Sequence, residues 1–127
     1  MDNPDAWALK KFPKVEQLLY VKGMRVIAVA TLRRFWRKPA YHDAEQPLKE
    51  WYREAVKADW ASPNDVKAHY GNVCVLKNNR LVFNIAGNKY RLIVAVNYKY
   101  RIMYVCFIGT HRQYDGVDAG EVWGNEY

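Results

Sequence analysis

Between Val73 and Gly109 the chain alternates short apolar stretches with turn residues, a pattern that leaves little room for anything but an antiparallel meander. Asn78-Asn79 and Gly87-Asn88 tolerate the positive φ that two-residue hairpin turns require. They divide the region into strands over 73–77, 80–86, 89–98 and 101–109, with Tyr98–Arg101 closing the last hairpin. Leu92-Ile-Val-Ala-Val96 is apolar without a break, which predicts a central strand covered at least in part on both faces.

The part before this meander reads as helical. Met24–Ala30 is a compact β-prone run, after which Thr31 is placed to cap a short helix through Lys38 that Pro39 stops. Asp43 precedes Ala-Glu-Gln-Pro as a capping-box-like start. Leu48, Trp51, Tyr52, Ala55 and Val56 then recur at helical spacing and give that helix one apolar face. Ser62-Pro63 opens a third short helix that Gly71 ends. Helices followed by strands predict an α+β domain, its N-terminal helices packed on a mainly antiparallel sheet. Residues 1–23 break this order: Pro13 interrupts their apolar pattern and Lys22-Gly23 punctuates it. They are expected to be an extension to a single domain over 24–127.

Cysteine and hydropathy narrow the class. Cys74 and Cys106 fall inside strand-like runs and neither belongs to a CxxC pair, so both are expected to be buried free thiols rather than metal ligands. His42 and His69 have no ligand-spaced companion, and no metal site or cofactor is expected. No apolar run approaches the ~20 residues of a membrane span. The chain starts acidic without an apolar leader, so a cytoplasmic location is expected.

The net charge of +7 is unevenly spread. Arg25, Arg33, Arg34, Arg37 and Lys38 meet no acid within residues 24–39. Within 71–115, Asp115 is the one acid among Lys77, Arg80, Lys89, Arg91, Lys99, Arg101 and Arg112. Residues 116–127 carry only acids. Excess cation on the first helix and the sheet suits a polyanion, since phosphate binding is driven by cations that displace condensed counterions.

Counting from the turns, a two-residue turn at Gly87-Asn88 sets Asn84 opposite Arg91, and alternation puts Asn84, Lys89 and Arg91 on one face with Tyr90 and Leu92 in the core. A turn at Lys99-Tyr100 sets Lys89 opposite Thr110, with His111 just past the strand end and Tyr114 within a loop's reach. Two permanent cations, an imidazole and a phenol match the needs of RNA cleavage. A guanidinium grips two phosphate oxygens and stabilises developing charge without a metal. An imidazole exchanges a proton near neutrality. The expected catalytic set is therefore Arg91, His111, Lys89 and Tyr114, with their individual roles open. Asn84, Lys77, Arg80, Arg33, Arg34 and Arg112 are expected to contact RNA.

These residues also carry a resemblance. Met24-Arg-Val-Ile-Ala, Asp43-Ala-Glu-Gln-Pro-Leu-Lys-Glu-Trp-Tyr-Arg-Glu-Ala, Val82-Phe-Asn-Ile-Ala-Gly-Asn-Lys-Tyr-Arg-Leu-Ile and Gly109-Thr-His-Arg-Gln-Tyr-Asp are similar to the HigB toxins, RelE-superfamily messenger-RNA interferases of type II toxin–antitoxin modules. The resemblance spans about residues 24–119, and residues 1–23 have no counterpart in it. It implies a RelE-like microbial RNase fold, cleavage of messenger RNA on the translating ribosome, and a cognate helix-turn-helix antitoxin as partner. By motif position it carries over Lys89, Arg91, His111 and Tyr114. The competing class is a non-catalytic RNA-binding or interaction protein that kept the basic face. An enzyme for a small anionic substrate has no nucleotide or cofactor motif to support it.

Overall fold

A computed structural model describes residues 23–124, so the expected extension over 1–23 lies almost wholly outside the described residues. The strands form one five-stranded sheet in the order β1-β5-β4-β3-β2. They are β1 (Arg25–Ile27), β2 (Cys74–Leu76), β3 (Arg80–Ile85), β4 (Tyr90–Asn97) and β5 (Ile102–Thr110). β1 runs parallel to β5 and every other pair is antiparallel. The unbroken apolar run of β4 does lie between two neighbours, as its composition requires.

The helices are α1 (Val29–Trp36), α2 (Glu45–Lys57), α3 (Pro63–His69) and the five-residue α4 (His111–Asp115). A 3-10 segment over Pro39–Ala44 joins α1 to α2. Two starts differ from expectation. α1 begins at Val29 after an Ala28 cap, so Thr31 lies inside the helix and caps nothing. α2 is capped by Ala44, and Asp43 is left free to reach across the molecule. Ser62 does cap α3, its Oγ accepting from the Asp65 N–H at 3.4 Å, with Pro63 at the position that needs no donor.

The sheet separates two apolar layers. The larger joins Leu32, Phe35, Leu48, Trp51 and Val66 of the helices to Leu81, Phe83, Tyr90, Leu92, Val94 and Ile108 of the sheet. The smaller lies on the opposite face, where Val82, Ile93, Cys106 and Phe107 are covered by Tyr114, Val117, Ala119 and Val122. Cys106 is buried as expected, but Cys74 is exposed, because β2 is a three-residue edge strand with little packed over it.

One irregularity sets the site. Near their turn β4 and β5 pair as counted, with Asn97 opposite Ile102 and Val94 opposite Val105. Beyond Ile93 the register advances by one residue, leaving Cys106 as the extra residue of a β-bulge. Cys106 and Phe107 are consecutive yet belong to the same apolar layer, which strand alternation forbids without such a bulge. The bulge places Tyr90, not Lys89, opposite Thr110, and Arg91 opposite Gly109.

Candidate functional site

The β3–β4 hairpin brings Asn84 opposite Arg91, as the turn length predicts. The positive φ of this turn falls on Ala86 and Gly87, one residue earlier than expected. The Lys89 N–H closes the turn onto the Ala86 carbonyl at 3.2 Å. Next to Arg91, β5 ends at Thr110 and α4 starts at once. Thr110 forms a reciprocal capping box: its Oγ1 accepts from the Gln113 N–H at 3.1 Å, and its own N–H donates to Gln113 Oε1 at 2.9 Å. That cap fixes how His111 and Tyr114 leave the sheet.

Arg91, half-buried, is the hub of the group. Its Nη2 lies 2.5 Å from Nε2 of the exposed His111, and its Nη1 donates to Asn88 Oδ1 at 2.7 Å. The guanidinium stands over the Tyr114 ring at 5.8 Å from its centroid. A guanidinium only donates, so a hydrogen bond between the two requires the tautomer with the lone pair on Nε2 and the proton on Nδ1. Nδ1 in turn faces Asp115 Oδ1 at 4.0 Å, one helical turn further along. The arrangement leaves a fork of cationic donors beside an imidazole nitrogen that can accept a proton.

Gly109 supplies room. A Cβ there would come within 2.6 Å of the Phe107 ring and 2.7 Å of Gln113 Oε1. The strand end opposite Arg91 therefore carries no side chain, and the capping box packs directly on the backbone.

Lys89 does not join Arg91. Its Nζ pairs with Asp43 of the 3-10 segment and lies 5.6 Å from the Tyr90 ring centroid. The Tyr90 hydroxyl donates to the other oxygen of the same carboxylate. The Lys89 and Tyr90 hydrogen bonds hold the Asp43 carboxyl below the usual carboxylate range. Burial first, and then the bond to Asp43, raise the Tyr90 phenol well above its ordinary value. The acid-poor surface read from the strands alone therefore gains carboxylates from segments distant in the chain, Asp43 beside Lys89 and Asp59 beside Arg101.

The expected RNA-contacting residues scatter. Arg112 is exposed on α4 beside His111, and Asn84 lies across the strand pair from Arg91. Arg33 and Arg34 occupy the last turn of α1, where cations suit the negative helix end. Lys77 sits in the β2–β3 turn, at the far end of β3 from Arg91. Arg80 is withdrawn from the surface: it is 3% exposed, and its Nη1 donates to the carbonyls of Ala119 at 3.1 Å and Val122 at 2.7 Å. It anchors the C-terminal segment and is not available to a phosphate.

Sequence reasoning passed over Tyr41, Asp43, Asn88 and Gln113. Asn88 and Gln113 had a signal, in the turn chemistry and in the Thr-x-x-Gln spacing that marks a capping box. Tyr41 and Asp43 had none, since their partners are brought near only by the tertiary fold. Among the described residues there is no group of three or more His, Cys, Asp or Glu side chains that could hold a metal ion. No helix among them is long and apolar enough to cross a membrane.

A family model described as HigB_toxin, RelE-like toxic component of a toxin-antitoxin system, matches residues 44–117. That span runs from the start of α2 through α4 and includes Lys89, Arg91, His111 and Tyr114. No curated protein matches the chain. The chain belongs to the HigB toxin family, and its helices over a mostly antiparallel five-stranded sheet are a RelE-like fold.

Proposed function

We propose that this member of the HigB toxin family arrests growth as a ribosome-dependent endoribonuclease that cuts messenger RNA during translation. A toxic component of a toxin–antitoxin system implies an antitoxin partner. In this reading that partner is a small helix-turn-helix protein and both act in the cytoplasm. The observation that carries the nuclease assignment is the 2.5 Å approach of Arg91 Nη2 to His111 Nε2, a phosphate-gripping donor beside a proton acceptor.

The chemistry assigns each group a task. Arg91 exchanges its imidazole contact for two oxygens of the scissile phosphate, which frees the Nε2 lone pair. The 2′-hydroxyl oxygen bonds to phosphorus as its proton passes to Nε2. The bond from phosphorus to the 5′-oxygen breaks, and that oxygen leaves with a proton donated by the Tyr114 hydroxyl. The products are a 2′,3′-cyclic phosphate and a 5′-hydroxyl. Arg91 stabilises the charge that builds on the phosphate, so the reaction needs no metal. Lys89, paired with Asp43, lies at the rim of the site, while Arg112 and Asn84 contact the flanking backbone.

The test is a ribosome programmed with a defined message and incubated with the purified protein, followed by mapping of cut ends. Cleavage that persists in a chelator and leaves 5′-hydroxyl ends supports the assignment. Binding to RNA or ribosomes without any cut end would overturn it and leave a non-catalytic binding protein. Strict dependence on a divalent cation would overturn the metal-free mechanism.

A further inference from the structure

The 3-10 segment Pro39–Ala44 touches both halves of the site, and it does so through two side chains two residues apart. Tyr41 Oη accepts from Gln113 Nε2 at 3.2 Å. Gln113 is the same residue whose Oε1 and N–H complete the Thr110 capping box, so its side chain is held at both ends. The first turn of α4, and with it His111 and Tyr114, is thereby tied to the segment. Asp43 ties the other half, accepting from Tyr90, the first residue of β4, and from Lys89 just before it. The segment is itself fixed on the core. The Tyr41 ring stacks on Phe35 at 4.4 Å with an interplanar angle of 6°, and both rings meet Tyr90 edge-on.

We infer that Tyr41 and Asp43 are positioning residues: one six-residue segment, kinked at Tyr41 and held on the core by that ring's stacking on Phe35, keeps the strand carrying Arg91 and the helix carrying His111 at a common spacing. The need is physical. α4 has five residues, too few to be stable on its own helical hydrogen bonds, and its buried contacts come mainly from Tyr114. Without the Gln113–Tyr41 bond, the angle at which His111 leaves Thr110 would rest on the cap and on the packing of Tyr114. Cleavage chemistry is sensitive to displacements on the order of 1 Å, and such displacements arise from residues that never touch substrate.

This inference rests on the proposed nuclease reading for its rate effect, but its structural part can be read without any substrate. Tyr41→Phe removes the acceptor hydroxyl and keeps the ring on Phe35, so the fold is retained. The measurement is the nitrogen chemical shifts of the His111 imidazole in the full chain, together with single-turnover cleavage and equilibrium RNA binding. In the parent, Nε2 should read as unprotonated and Nδ1 as protonated. In Tyr41→Phe the two nitrogens should move toward averaged values as His111 leaves Arg91. Cleavage should slow by roughly three- to tenfold with RNA binding unchanged, the loss expected from one positioning hydrogen bond. Asp43→Ala should produce the same averaging from the strand side. Unchanged imidazole shifts in both variants would overturn the inference, whatever the cleavage rate. Averaged shifts in a protein whose parent cuts no RNA would uphold the positioning role and sink the nuclease reading instead.

Discussion

Arg80 and Arg91 lie on the same face of the same strand pair, and the fold puts them to opposite uses. Arg80 pairs with Ala95 at one end of the β3–β4 ladder, and Arg91 pairs with Asn84 near the other. Four residues of strand separate the two rows, roughly 13 Å at ~3.3 Å per residue. Arg80 spends its donors on two carbonyls of its own chain and lies 5.0 Å from the Trp123 ring centroid, which seals it from solvent. Arg91 stays near the surface, donating to an imidazole nitrogen and to a turn asparagine. What distinguishes them is what crosses over the sheet at each row. An irregular C-terminal segment offers carbonyls at the first, and a short capped helix offers a proton acceptor at the second. A buried cation bonded to backbone carbonyls holds the fold, whereas one near the surface beside an imidazole is the better candidate for the proposed chemistry.

The largest expected effect breaks the functional end. Arg91→Ala removes the proposed phosphate clamp while Leu92 and Ile93 keep the strand packed, and should cost about 2–4 kcal/mol of transition-state stabilisation, or about thirty- to a thousandfold in single-turnover cutting. His111→Gln should lose about a hundredfold. RNA binding should change far less than cutting in either variant, with thermal unfolding near the parent value. Equal losses of binding and cutting would make these residues docking contacts.

The structural end should respond in the opposite sense. Arg80→Met keeps the stem but leaves two half-buried carbonyls without their donor, so it should destabilise the fold by about 1–3 kcal/mol. Cleavage per folded molecule should stay at the parent rate. Denaturant unfolding beside single-turnover kinetics tests this, and a stable but inactive Arg80→Met would erase the contrast between the two arginines.

Gly109→Ala sharpens the contrast further. The new methyl group would press on Phe107 and on the Gln113 oxygen of the capping box. The strain should cost about 1–3 kcal/mol of stability and also lower cutting, because relief comes most easily by tilting α4 and displacing His111. Loss of stability with full activity would show that Phe107 yields instead.

The smallest effect concerns pH. The Asp43 carboxyl ionises more readily folded than unfolded, so its contribution is present above the unfolded carboxylate value and is lost as pH falls through the lower folded value. Asp43→Asn should therefore flatten the acid limb of the thermal midpoint as pH falls below the ordinary carboxylate value, while leaving the neutral range unchanged. An unaltered acid limb would mean that the exposed pair with Lys89 contributes nothing measurable, as many surface pairs do.

What the sequence made legible follows the same division by range. The Asn84–Arg91 pairing, the central β4 and the Ser62 cap were readable because their causes lie within a few residues: turn length, unbroken apolarity and a cap beside a proline. Lys89 was misplaced because the carboxylate that takes it lies 46 residues away in the chain. Arg80 was read as surface cation because its acceptors come from residues 119 and 122, a stretch with no periodicity to announce that it would fold back. Cys74 looked buried because its run is apolar, and nothing local says that the run becomes a sheet edge.

The bulge at Cys106 has a consequence for comparing members of this family residue by residue. It puts one more residue between the Tyr98–Arg101 turn and His111 than an uninterrupted ladder would. A relative with a regular β5 would therefore need one residue fewer between that turn and its own histidine to present it on the same side. Where two chains differ by one residue here, a gap set in the loop after Thr110 would match histidines in name while misaligning the whole strand. A gap set at Cys106 would keep both strand and site in step.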